Sequence, residues 1–270
     1  MTTRFDDDTA LTSVGATSFA GTIRSAWSVG RGPNGGYVAA LILRALTMTV
    51  GDSMREPRSL TIQYLAPSAE GPIRIDTTVE RSGGSLTMLS ARMSQHDRTV
   101  ALALSTFATS REGIAFSAAT MPNVPPAARI TPFVRAWGPH PAFTAQYEYR
   151  WAIGDLPFTG SEHARVGGWI RLAEPRPADA LLVAAYTDAW IPSVYPRLTA
   201  QMGTPTVDLT IHFRTRLPLP DMRDEDFYLA VFQSRLAAEG FFEEDGEIWS
   251  PGGVLIAQSR QMALLRPMPA

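Results

Sequence analysis

Hydrophobic and polar positions change period along the chain in a way that divides it into recurring blocks. From Ser18 to Gly30, SFAGTIRSAWSVG mixes apolar and polar residues in strand-like fashion. GRGPNGG then reads as a loop, and YVAALILRALTMTV, almost wholly apolar and rich in Ala and Leu, predicts a buried helix of about four turns. After Gly51 the period shortens. SLTIQYLAP, PIRIDTTVER, SLTMLSARMSQ and RTVALALSTFATS predict four strands, broken by turn chemistry at Pro67-Ser68, Gly71-Pro72, Gly83-Gly84 and Asp97.

Residues 111–143 contain Pro122, Pro125, Pro126, Pro132, Pro139 and Pro141, which predicts an extended linker. The pattern then repeats. TAQYEYRWAI and ARVGGWIRLA read as strands, and PADALLVAAYTDAWI as a helix with Asp179 in its first turn, where a carboxylate suits the helix dipole. PTVDLTIHFRT, DFYLAVFQSRL, EGFFEEDGEIW and GGVLIAQSRQMALLR read as four more strands. SLTIQYLAP aligns with DLTIHFRTRLP at an offset of 209 − 60 = 149, and VALALSTFA with VLIAQSRQM at 254 − 100 = 154. The expectation is an α+β chain of two repeats, 1–110 and 144–270, joined by the linker 111–143. Each repeat would wrap a long antiparallel sheet around one apolar helix. The plainer alternative is one α+β domain whose halves are alike by chance.

Composition narrows the chemistry. With Lys+Arg 24 against Asp+Glu 26, the formal charge of −2 offers no broad basic surface, which disfavours nucleic acid. The absence of Cys removes disulfides, thiolate metal sites and a cysteine nucleophile, and the absence of Lys removes Schiff-base and P-loop chemistry. No apolar run approaches the ~20 residues of a membrane span. MTTRFDDDTALTS is acidic and lacks a signal core, so a cytoplasmic location is expected.

Gly30-Arg31-Gly32-Pro33-Asn34-Gly35 satisfies GxGxxG with Asp52 about 20 residues on, but no apolar parallel strand precedes it and Asp52 directly follows the helix. The Gly35-Gly36 pair suits two other purposes equally: N–H groups at a helix start that bind a carbonyl oxygen or oxyanion, or close helix packing. No GxSxG elbow or HExxH occurs, and His96, His140, His163 and His212 show no ligand spacing, which suits surface or packing positions. Asp188, in the apolar text ALLVAAYTDAWIP, is a carboxylate that is costly unless bonded or used, or else one that reaches solvent from a helix end. Gln258 and Gln261 interrupt the last apolar strand, and Thr206 opens the strand beside the Asp188 segment.

The segments WSVGRGPNGGYVAALILRAL and SLTIQYLAPSAEGPIRIDTTVERSGGSLTMLSARM resemble the first half of acyl-CoA thioesterase II (TesB-like) proteins. AAYTDAWIP, TVDLTIHF and VLIAQSRQMALLR resemble the second half. The resemblance spans the chain apart from its tips and linker, and implies the double-hotdog fold. In that family a carboxylate, a hydroxyl and an amide hold the attacking water, and motif matching places these on Asp188, Thr206 and Gln261. The implied activity is hydrolysis of acyl-CoA to free acid and CoA by direct water attack, with no cofactor, metal or covalent acyl-enzyme. The acyl chain would lie in an apolar tunnel between helix and sheet, with Arg residues near its mouth for the CoA phosphates. Uncovered sheet edges and faces leave room for a homo-oligomer. Two other readings stay open. A buried Asp–Thr–Gln network also suits a non-catalytic binder of acyl chains or acyl-CoA. An enoyl-CoA hydratase or dehydratase would pair an acid with a His, and residues 178–200 contain none.

Overall fold

A computed structural model describes residues 2–30, 32–134 and 140–267. Arg31 of the GxGxxG text and Pro139 of the linker lie outside the described residues. The main elements run α1 (Arg4–Asp8), β1 (Thr12–Gly15), β2 (Ser18–Ile23), α2 (Gly35–Val50), β3 (Glu56–Tyr64), β4 (Gly71–Ser82), β5 (Leu86–Gln95) and β6 (Arg98–Ala108). The second half follows with β7 (Tyr147–Ile153), β8 (Arg165–Leu172), α3 (Ala180–Tyr186), β9 (Thr206–Phe213), β10 (Tyr228–Gln233), β11 (Phe241–Trp249) and β12 (Leu255–Leu264).

One antiparallel sheet joins them in the order β1-β2-β4-β5-β6-β3-β9-β12-β11-β10-β8-β7, with the short Ala237–Ala238 strand beside β11. That order reads the same from both ends once each strand is matched with its repeat. The seam is β3 against β9, with Thr61 directly opposite Thr210, and 210 − 61 = 149, the predicted offset. The repeats are therefore related by a two-fold axis through this pair, whose hydroxyl oxygens lie 3.1 Å apart. The second predicted offset needs correction. Leu60 faces Ser105 while Leu209 faces Gln261, so β6 maps onto β12 at 261 − 105 = 156. The two-residue error from 154 preserves the faces, because strand side chains alternate with period two.

Residues Gly36–Leu43, Ala45 and Leu46 of α2 are all buried, which accounts for its apolar text. Asn34 caps its start, accepting from the Tyr37 N–H at 3.1 Å, and Gly51 ends it in the left-handed region at φ 61°. In α3, Asp179 is the N-cap itself, accepting from the Leu182 N–H at 2.9 Å. α2 and α3 touch closely: a Cβ at Gly36 would come within 2.4 Å of the Ala185 carbonyl oxygen.

Other expectations are revised. The strand read through Ser18–Gly30 ends at Ile23, because Ser25–Trp27 forms a 3-10 turn that buries Trp27 flat against Tyr37, ring centroids 5.0 Å apart. Helix α1 adds a capping box from Thr3 and Asp6 and buries Phe5 against Trp27. The linker is more than a tether. Met121, Val124, Ala127 and Ile130 pack on Trp169, Leu229, Val231 and Trp249, and the Trp169 indole N–H donates to the Pro125 carbonyl at 2.8 Å.

Candidate active site

Asp188 lies two residues beyond the end of α3, where Thr187 is the C-cap, so it belongs to the turn after the helix. Its Oδ2 accepts from the Asn34 amide at 3.0 Å and from the Gly36 N–H at 3.1 Å, and its carbonyl accepts from Asn34 at 2.7 Å. Asn34 thus has two tasks: it caps α2 and clamps the second repeat's carboxylate to the start of the first repeat's helix. Tyr64 of β3 closes the same corner, its hydroxyl donating to the Gly35 carbonyl at 2.8 Å.

The glycine pair lies where the two helices and Asp188 meet. Gly36 permits the close contact with Ala185, and its N–H is engaged by Asp188. Gly35 also directs its backbone N–H to this carboxylate, and a Cβ on it would sit 2.9 Å from Asp188 Oδ2. In this structure these donors hold the Asp188 side chain, whereas the sequence suggests them facing a carbonyl oxygen or oxyanion.

Gln261, on β12, is buried at 7% exposure. Its Oε1 accepts from the Thr206 hydroxyl at 2.9 Å, and its Nε2 donates to Glu244 Oε1 at 2.7 Å. The amide also bears on Asp188, helping to keep it ionised. Three predicted residues from three segments, Asp188, Thr206 and Gln261, are therefore brought together with Gln261 as the link. Thr206 owes its aim to a bulge: the β9–β12 register shifts between Thr206 and Asp208. An equivalent shift falls between Pro57 and Ser59, and 206 − 57 = 149. The first repeat therefore has the bulge with a proline where the second has a hydroxyl. Its other equivalents are Ser105 for Gln261 and Leu89 for Glu244, from the matching registers Leu89 opposite Ser105 and Glu244 opposite Gln261. Thr206, Gln261 and Glu244 are therefore polar residues of the second repeat that the first repeat does not duplicate.

Burial pushes the Asp188 carboxyl up to about 7, the Glu244 charge pushes the same way, and the Gly36, Gly35 and Gln261 donors oppose both. Burial also raises Glu244, and raises Tyr64 with help from the Asp188 charge. Asn34, Tyr64, Glu244 and Ser193 are the members of this cluster that the sequence reading missed. Glu244 had a signal: Phe242, Glu244, Gly246 and Ile248 alternate on the buried face of β11. The four histidines are exposed, and Asp52 pairs with Arg55 at 3.1 Å on the surface.

A continuous antiparallel sheet wrapped around two central helices, duplicated about a two-fold axis, defines a double-hotdog protein. The chain belongs to the acyl-CoA thioesterase family: residues 23–108 match the family's N-terminal domain and residues 121–265 its C-terminal domain. No curated protein sequence matches it. Among solved structures it is similar to a hot dog protein of unknown function from Alicyclobacillus acidocaldarius, at 29% identity, covering 100% of both chains with a TM-score of 0.89. It shares its fold with acyl-CoA thioesterase II TesB2 from Mycobacterium marinum, at 22% identity over 98% of both chains, TM-score 0.77. The same holds for a tesB protein from Mycobacterium avium subs paratuberculosis, at 20% identity, covering 97% of this chain and 98% of that one, TM-score 0.79. Among the described residues, no helix is long and apolar enough to cross a membrane.

Proposed function

We propose that the protein hydrolyses acyl-CoA thioesters by direct attack of water, with Asp188 as general base and Thr206 and Gln261 as the groups that orient the water. The observation that carries this reading is the convergence of a carboxylate, an amide and a hydroxyl, with Gln261 bonded to Thr206 and bearing on Asp188. A carboxylate whose pKa is about 7 is matched to removing a proton near neutral pH, where an ordinary carboxylate is a weak base. As the water oxygen adds to the thioester carbonyl carbon, its proton passes to Asp188. Collapse of the tetrahedral intermediate breaks the C–S bond, and the CoA thiolate leaves and takes up that proton. Asn34 and Gly36 fix the carboxylate in place before substrate arrives, which lowers the cost of reaching the reactive geometry.

The test is thiol release from a panel of acyl-CoAs, short to long, by the wild type and by Asp188→Asn. Loss of turnover by at least 100-fold in a folded variant, on the scale general-base removal produces, supports the reading. Wild-type rates in that variant overturn the assignment of Asp188. Tight acyl-CoA binding without turnover by the wild type would make the protein a binder.

A further inference from the structure

Glu244 is a second acid buried beside the first, with 4% of its surface exposed. Its Oε1 accepts from Gln261 Nε2 at 2.7 Å and its Oε2 from the Ser193 N–H at 2.5 Å. Among the described residues no arginine pairs with it; Arg260, the nearby cation on β12, reaches Glu243 and Asp245 on the exposed side of β11. An ionised carboxylate only accepts hydrogen bonds, so it dictates that the Gln261 nitrogen faces inward and leaves Oε1 for Thr206. Resting on the hydrolytic reading above, we propose that Glu244 is a positioning residue: it sets the orientation of the Gln261 amide and, across that amide, its negative charge acts on Asp188. The titratable groups facing this pair are Tyr64 from β3 and Tyr147 from β7, and Glu243, on the opposite face of β11, adds a further like charge to Glu244. None of these supplies a positive charge, so among the described residues hydrogen bonds balance the like-charge repulsion between Asp188 and Glu244.

A merely structural Glu244 and a positioning Glu244 differ in their pH behaviour. Glu244→Gln keeps volume and removes the charge. Its amide can donate to Gln261, which then turns over and presents nitrogen to Thr206. The expected result is a fall in kcat of about 10- to 100-fold with KM changed less than about twofold, the scale of a misplaced catalytic geometry. The acid limb of kcat/KM is expected to move to lower pH by about one unit, since a neighbouring like charge is gone. Glu244→Leu copies the solution at Leu89 in the first repeat and is expected to fold, with the same displacement of the limb. A folded variant whose acid limb stays in place overturns the proposal, whatever its kcat.

A further measurement needs neither a Glu244 variant nor substrate. In carbon-13 spectra of the wild type, with Asp188 identified by the peak lost in Asp188→Asn, coupled acids titrate in step across two phases. Independent single-phase titrations overturn the proposal even if both Glu244 variants fail to fold. Because this readout is independent of turnover, failure of the coupled pair is distinguishable from failure of the thioesterase reading.

Discussion

Replacing Gly36 with Ala tests the contact on which the site is built. The added Cβ would meet the Ala185 carbonyl oxygen at 2.4 Å and the Ala185 C and Cα at 3.1 Å. These are backbone atoms of α3, so no side chain can swing away. Restoring an ordinary 3.4 Å contact requires the helices to part by 3.4 − 2.4 = 1.0 Å. Overpacking of this kind costs about 1–3 kcal/mol, offset by the ~0.5–1 kcal/mol that Ala gains over Gly inside a helix. The net loss is up to about 2.5 kcal/mol, and at roughly 2–4 °C per kcal/mol the melting temperature should fall by up to about 10 °C. The movement also pulls the Gly36 N–H away from Asp188, a bond of 3.1 Å, and displacing catalytic groups by about 1 Å costs on the order of 100-fold in rate. Calorimetry with thiol release on the same preparation reads both effects. Gly35→Ala separates them: its Cβ meets side-chain atoms, Asp188 Oδ2 at 2.9 Å and the Tyr64 hydroxyl at 3.2 Å, so activity should fall with a smaller loss of stability. Gly84→Ala, with open space around its Cβ, is the control. A Gly36→Ala protein that melts within about 1 °C of the wild type and keeps full activity would refute the reasoning.

Stability should also depend on pH through Asp188. Its folded pKa of about 7 stands above the ordinary 3.8, so the native state holds a proton that the unfolded chain has released. That contribution is fully present below pH 3.8 and is lost as pH rises through about 7, a span worth roughly 4 kcal/mol. Asp188→Asn should flatten this slope in denaturant midpoints taken between pH 4 and 8, and an unchanged slope would assign the dependence elsewhere. Asp179→Ala removes the α3 cap and one of the two carboxylates paired with Arg176, at 3.2 Å, leaving Asp6; it should cost about 1 kcal/mol in denaturant melts. Trp169→Phe keeps a ring under the linker but loses the bond to Pro125, so limited proteolysis should cut sooner within residues 113–130.

Much of this fold was legible because burial writes itself into period and composition. The continuous apolar text of α2 announced a helix enclosed on every side, and the 149-residue offset anticipated the pairing of Thr61 with Thr210. What was not legible depended on contacts remote in sequence. Asn34 looked like a loop residue next to glycines, and only the docking of the second repeat, 154 positions away, makes it a clamp for Asp188. The glycines showed the same limit: the residue type implied close approach or available N–H groups, and only the fold brings Ala185 and Asp188 to them. Glu244 was hidden by composition, since FFEEDGE is acidic enough to suggest a solvated edge until its alternation is counted. The linker's proline content masked four apolar residues that hold it to the sheet.

The continuous β3–β9 seam has a consequence for how stability and chemistry are shared. In an assembly of two identical chains every residue appears twice, so an acid sunk in the interior would weaken both halves at once. Here the equivalents of Glu244, Gln261 and Thr206 are Leu89, Ser105 and Pro57, a hydrocarbon, a small hydroxyl and a ring without an N–H. One half carries the buried acids, and its counterpart contributes packing and the neutral donors that hold one of them. Covalent continuity makes that division permanent, because no exchange of subunits can pair two burdened halves or two idle ones.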